Sequence, residues 1–354
     1  MLGIDKVFSE INSFTLNNEN DYVIIKDSIL EINSKFELKL LAVSNDLLQE
    51  ITYSNNVVFS NKVNGGSILF KKKLFEFNNF FIKKIINHNE FLASKNGKTI
   101  LFSFHNNLEM VEFDFKVFTF FQEKDFLFIK KGKKIEKYSL NNIYQKSLWQ
   151  TDISQIGKHI PFPDEEEKEG EVKNFVGVYN NELIVQLTGG KFIGLDLENG
   201  KVNWEQNLVE NNLTNQVIDY NFGDPYNPFL DEENGKIYIL QGEVFIVFDL
   251  LTKKATYQWS SLNLPTEDYV FIRQSNIYNN QIVFSAFRKG NIGNDDTIGI
   301  FDIKRNEIIW KHTFDFEKDN FIPNSNTNIQ MSENRIGALD WKGNLYIFER
   351  EKNK

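Results

Sequence analysis

The sequence predicts an all-β protein assembled from repeated antiparallel sheets, and three observations carry that reading. Apolar positions alternate or run in short blocks punctuated by Gly, Asn and Asp turns, with no long amphipathic helical pattern. The chain holds 34 Phe and 14 % aromatics, residue types that suit a pleated, half-buried surface. Hairpins recur along the whole length.

The segments DYVIIKDSILEI, NGKTILFSF, KDFLFIKKGKKIEKYSL and NELIVQLTGGKFIGLDL each read as strand, tight turn, strand. Gly132, Gly189, Gly190 and Gly343 sit in such turns, where a positive φ is needed. Hairpins are expected to start near Tyr22, Val57, Phe91, Phe126, Leu183, Ile237, Ile282 and Arg335. In the second half GGKFIGLDLENGKVNWEQ aligns with QGEVFIVFDLLTKKATYQW and DDTIGIFDIKRNEIIWKH. Asp196, Asp249 and Asp302 are spaced 53 and 53 apart, and Trp149, Trp204, Trp259 and Trp310 are spaced 55, 55 and 51. A fixed period with one sheet per period is the signature of a β-propeller or solenoid. The expectation is a single propeller domain over residues 1–354, with eight four-stranded antiparallel blades and seven as the alternative. The last unit is short, so the N-terminal segment around Leu2 to Phe8 is expected to add its outer strand and close the ring. The repeated Asp is expected to accept turn NH groups, and the Trp to supply apolar area between blades.

Gly190, Leu195, Asp196, Gly200 and Trp204 form a unit that resembles the repeat of pyrroloquinoline-quinone-type propellers, loosely shared with WD-repeat-like proteins. Weaker copies carry Phe248, Asp249 and Trp259, and Phe301, Asp302 and Trp310. The resemblance covers roughly residues 126–350 and implies a scaffold, not a chemistry. The quinoprotein enzymes it evokes are exported, longer and often carry adjacent cysteines, so no cofactor is expected here.

With no Cys, disulfides, thiolate metal sites and a Cys nucleophile are excluded. The opening MLGIDKVFSEINSF lacks a signal-peptide pattern and no apolar run is long enough to span a membrane, so a cytoplasmic location is expected. Net charge is −9, divided as +3 over residues 1–150 (20 Lys against 17 Asp plus Glu) and −12 over the rest (20 basic against 32 acidic). That acidity argues against nucleic acid and suits a basic protein partner, or serves solubility alone.

His88, His105, His159 and His312 are scattered without metal-ligand spacing, and nucleotide-binding and hydrolase motifs are lacking. Candidate partner contacts lie in loops, where function concentrates on a rigid scaffold. The acidic run PFPDEEEKEGE offers Asp164, Glu165, Glu166 and Glu167; its other reading is a solvated loop. DYNFGDPYNPF offers Tyr220, Phe222 and Tyr226, and the hairpin tip RKGNIGNDDT offers Asp295 and Asp296. Trp341, in ALDWKGN, is expected to pack against a neighbouring blade.

The function this supports is a non-enzymatic protein-binding scaffold, monomeric on its own. Its narrower form is a bacterial immunity-type protein that neutralises a toxin. The alternative is a propeller enzyme, either carbohydrate-active with two converging carboxylates or a quinoprotein-like dehydrogenase. A part in an outer-membrane insertion complex ranks last, because the lipoproteins of that kind carry a lipidated Cys.

Overall fold

Each repeat places two apolar strands back to back, and these become the inner strands of a sheet covered on both faces. The structure, a computed structural model, describes residues 6–18, 20–54, 57–62, 65–86, 90–103, 108–113, 119–140, 146–160, 165–211, 216–219, 228–242, 244–260, 269–288, 294–317, 319–323 and 327–349. It comprises two compact units. One holds Met1–Asp114, Gln241–Glu243 and Ser261–Lys354; the other holds Phe115–Leu240 and Val244–Ser260.

In the first unit, Ser13–Thr15, Asp21–Ile25, Ser28–Ile32 and Leu38–Val43 form one four-stranded antiparallel sheet. Leu48–Ser54, Val57–Lys62, Gly65–Phe70 and Lys73–Asn78 form the next, followed by Phe81–Ile85, Glu90–Lys95, Lys98–Ser103 and Leu108–Phe113. Tyr269–Tyr278, Gln281–Arg288, Thr297–Asp302 and Glu307–Thr313 repeat the pattern. The first of these also pairs at Ile272 and Arg273 with Gly242 and Gln241, so this group is not an isolated sheet. Inner strands are mostly buried, as in Asp21–Ile25, where Val23 and Ile24 are fully buried. The outer strand Glu307–Thr313 alternates, switching between exposed and half-buried at every residue.

Ile329–Met331, Arg335–Leu339 and Leu345–Glu349 make the C-terminal sheet, and its fourth strand is Lys6–Phe8 from the other end of the chain. Lys6 pairs with Ile347 and Phe8 with Leu345. The first part of the expected Leu2–Phe8 strand lies outside the described residues. Polar side chains tie this sheet to the first one. Gln330 donates to the Phe14 carbonyl (2.9 Å) and accepts from the Leu16 NH (3.0 Å). The Arg335 guanidinium bonds the Asp21 carboxylate and lies 4.7 Å from the Phe36 ring, with both charged side chains nearly buried.

In the second unit, Phe120–Glu123, Phe126–Lys131, Lys134–Ser139 and Trp149–Asp152 form one sheet. Val172–Tyr179, Glu182–Leu187, Phe192–Asp196 and Val202–Gln206 form a second. Phe229–Asp231, the strand Lys236–Gly242 as far as Leu240, Val244–Asp249 and Lys254–Ser260 continue the pattern. Here the structure departs from a plain four-stranded repeat. An extra hairpin, Leu208–Asn211 with Gln216–Asp219, lies along the outer edge of Lys254–Ser260, and Val209 pairs in parallel with Ala255. Buried Val209 anchors it in the local core.

The repeated aspartates cap the turn between third and fourth strands. One Asp196 oxygen accepts the NH groups of Glu198 and Asn199 at 2.9 and 3.0 Å. Asp249 does the same for Leu251 and Thr252, both at 2.9 Å, and Asp302 for Lys304 and Arg305, both at 2.9 Å. Trp149 packs on the capped turn of the following sheet, its indole NH donating to the Leu197 carbonyl at 3.0 Å. Gly200 closes that turn at φ +75°, and a Cβ there would meet the Trp149 ring at 2.6 Å. A bulge shifts register between the last two strands at Gly194/Leu195, Phe245/Ile246 and Ile300/Phe301, and likewise at Ile29/Leu30 and Leu101/Phe102 in sheets without the aspartate. Such bulges twist an outer edge and blunt edge-to-edge pairing.

Asp249→Ala should lower stability by about 1 kcal/mol, the usual cost of a lost NH cap, as read by urea unfolding. Burial opposes the Asp249 charge, but the NH groups of Thr252 and Leu251 outweigh it and hold the carboxyl below its ordinary value. Its folded pKa is thus the lower one, so this stabilisation is present above about pH 4 and disappears as pH falls through the folded value. The variant should lack that part of the acid dependence.

Arg335→Met leaves the Asp21 carboxyl buried without its partner and should cost about 3–5 kcal/mol in urea unfolding. Adding Asp21→Asn should recover a substantial part; an unchanged midpoint in the single variant would refute the role given to the pair.

Candidate binding surface at the Trp341 turn

The turn between Arg335–Leu339 and Leu345–Glu349 is organised by one buried carboxylate. Asp340 accepts the Asn344 NH (2.8 Å), the side-chain amides of Asn320 (2.8 Å) and Asn344 (2.9 Å), and the Tyr346 hydroxyl (2.9 Å). Burial first, then the bond to Asp340 and its charge, push the Tyr346 hydroxyl well above its ordinary pKa, which keeps it a donor. Gly343 takes φ +82°, open to glycine without strain.

With Asp340 pinned inside, Trp341 projects outward and is 67 % exposed. Its expected packing against a neighbouring sheet is therefore corrected. It stacks instead on Phe321, with ring centroids 5.7 Å apart and planes at 9°, and its backbone NH donates to the Phe321 carbonyl at 2.9 Å. Phe321 supports one ring face. Beside the turn opens a cleft of about 640 Å³, lined by Glu10, Ile11, Asn12, Lys26, Pro323, Asn328 and Leu339 together with the turn.

The Lys26–Asp27 turn forms one wall of this cleft and carries the next loop. The Lys26 carbonyl accepts the Leu48 NH (2.9 Å) and the Asp27 carbonyl accepts the Ser44 NH (2.8 Å). Leu40, Val43 and Leu47, on that strand and loop, are 56 %, 53 % and 55 % exposed. A large exposed indole at a cleft, with exposed aliphatics on the strand and loop bonded to its Lys26 wall, marks an interaction surface more than scattered single residues do.

The loop residues selected from the sequence fare differently. Asp164, Tyr220, Phe222 and Tyr226 lie outside the described residues. Glu165, Glu166 and Glu167 are exposed, and four carboxylates of the acidic run pair with lysines of the chain. Glu165 pairs with Lys168 (2.7 Å), Glu167 with Lys158 (3.1 Å), Glu169 with Lys133 and Glu171 with Lys130 (2.8 Å). Asp295 and Asp296 do not sit on a loop tip: both are buried, at 0 % and 3 % exposure. Asp295 is bonded by Arg273 and Ser285, and Asp296 accepts the Thr297 hydroxyl at 3.0 Å. The reason is register, since the two residues run directly into the buried strand Thr297–Asp302.

The described buried carboxylates all have structural partners: Asp21 with Arg335, Glu136 with Tyr138, Asp295 with Arg273, Asp296 with Thr297, and Asp340 with Tyr346. Among the described residues no group of three His, Asp or Glu could hold a metal ion. His312 is packed among Trp310, Phe314 and Phe348, and burial lowers its pKa. Sequence reasoning missed the Trp341 surface because exposure of one indole depends on where Asp340 is held. The cue present was a lone Trp inside a polar turn.

No family model matches this chain, and no curated protein sequence does. Solved structures do resemble it. The C-terminal WD40 domain of Sif2 is 11 % identical, covers 99 % of each chain and has a TM-score of 0.63. The computationally designed Ika8 protein is 10 % identical over 97 % of this chain and 96 % of its own, with a TM-score of 0.61. BamB from Moraxella catarrhalis is 9 % identical over 99 % of this chain and 100 % of its own, at 0.56. At such identities the likeness concerns the fold alone, and with the four-stranded antiparallel sheets it makes this a β-propeller-type chain.

Trp341 should dominate the solvent-accessible indole signal. Iodide quenching of intrinsic fluorescence should fall markedly in Trp341→Phe, while Trp149→Phe, which removes a buried indole, leaves the quenchable fraction intact.

Proposed function

We propose that this chain is a non-enzymatic protein-binding scaffold, an eight-bladed propeller joined at the Lys6–Phe8 strand, whose partner docks on the Trp341 surface. One observation carries the reading: a mostly exposed indole held flat on Phe321 at the mouth of a cleft. A rigid aromatic anchor loses little conformational freedom on binding, which is why Trp is enriched among residues that dominate binding energy. The eight expected hairpin starts, each within a residue of an inner strand, and the pairing of the two chain ends support the blade count and closure. The narrower form, a toxin neutralised in the cytoplasm, rests on the charge of −9 alone.

The test is capture from the native host's lysate with tagged wild type and Trp341→Ala in parallel, followed by affinity measurement on the purified partner. A stoichiometric partner whose affinity drops by about 30-fold, or 2 kcal/mol, in the variant is the expected outcome. Equal affinity for both proteins would remove Trp341 from the interface.

A further inference from the structure

Resting on the reading that the Trp341 surface is the docking site, we infer that its partner contributes an uncharged apolar or aromatic peptide segment, not a basic one. The chain as a whole is acidic, but this surface is not. The cleft lining carries two carboxylates, Glu10 and Asp340, and two lysines, Lys26 and Lys342. Lys26 lies 3.9 Å from Glu10, and Lys342 lies 2.9 Å from Glu317, just outside the lining. Asp340 is buried beneath the turn and occupied by Asn320, Asn344 and Tyr346. A basic segment would thus meet lysines already holding the exposed carboxylates, and would gain little from charge.

Exposed aliphatics stand on the segment bonded to the Lys26 side of the cleft. Leu47 and Val43 stand on the loop and strand hydrogen-bonded to the Lys26–Asp27 turn. A sugar ring could stack on the indole, but it would not cover aliphatic side chains beyond it. A peptide segment long enough to run from Trp341 to Leu47 removes both from water, and burial of apolar area is the larger gain. Desolvation of the neutral cleft is correspondingly cheap, because no unpaired charge has to be stripped of water.

The experiment is selection of a random dodecapeptide phage library on the full-length protein, with counter-selection on Trp341→Ala. Enriched peptides should be apolar or aromatic and uncharged, and their affinity should change by less than about twofold between low and high salt. Leu47→Asp, a second exposed change, should weaken the same peptides by about tenfold, with circular dichroism unchanged. Enrichment of Lys- and Arg-rich peptides that weaken by about tenfold in high salt would overturn the inference yet leave the docking site standing. No enrichment over Trp341→Ala, or indole quenching by maltoheptaose or chitohexaose without peptide binding, would overturn the inference and the docking site together.

Discussion

In three of the repeats one carboxylate capping one tight turn sets the local geometry of the sheet. Asp196, Asp249 and Asp302 each gather two backbone NH groups that would otherwise compete for water, and so fix where the third strand ends and the fourth begins. A bulge lies between the same two strands, and such a bulge increases the twist of the outer edge. In the second unit the capped turn also serves the preceding sheet, because Trp149 packs on it and bonds its Leu197 carbonyl. Lys137 reaches the same carbonyl at 2.6 Å. A turn held less firmly would offer that indole no fixed seat.

The first and last sheets meet by different means. Among the described residues no Trp occupies that junction in the manner of Trp149; a nearly buried Arg335 and Asp21 do, with Phe36 beneath the guanidinium. Phe36 adopts φ +58°, unusual for a bulky residue, at a turn where Asn33 accepts the NH groups of Lys35 and Glu37. A buried ion pair adds little net stability but is costly to break, and it specifies which surfaces meet. Where the two chain ends share a sheet, that directional demand complements the strand pairing of Lys6–Phe8 with Leu345–Ile347.

Charge is handled in two ways. The acidic run near residue 165 is answered by lysines on neighbouring strands and by Lys158 and Lys168 within the loop itself. Asp295 and Asp340 are instead drawn inward and satisfied by hydrogen bonds. In its turn Asp340 is held inside, and the next residue, Trp341, faces outward.

Much of the fold was legible because its determinants are local. Strand alternation, Gly turns and the Asp spacing each act over a few residues, and Tyr22, Val57, Phe91, Phe126, Leu183, Ile237, Ile282 and Arg335 fall on or beside the starts of inner strands. The capping role of the aspartates followed from the same short-range chemistry. The binding surface was not legible, because solvent exposure is a property of neighbours distant in sequence. Asp295 reads as a loop acid until Arg273 and Ser285 close over it. Trp341 reads as another packing indole until Phe321 covers only one of its faces. The parallel hairpin at Val209 depends on Ala255, 46 positions away, and has no local signature. By itself the sequence determined the sheet repeat, its turns and its overall acidity, since these need only near neighbours and composition. Only the tertiary structure decided which charges are neutralised and which aromatic stands free, because both depend on residues brought together by folding.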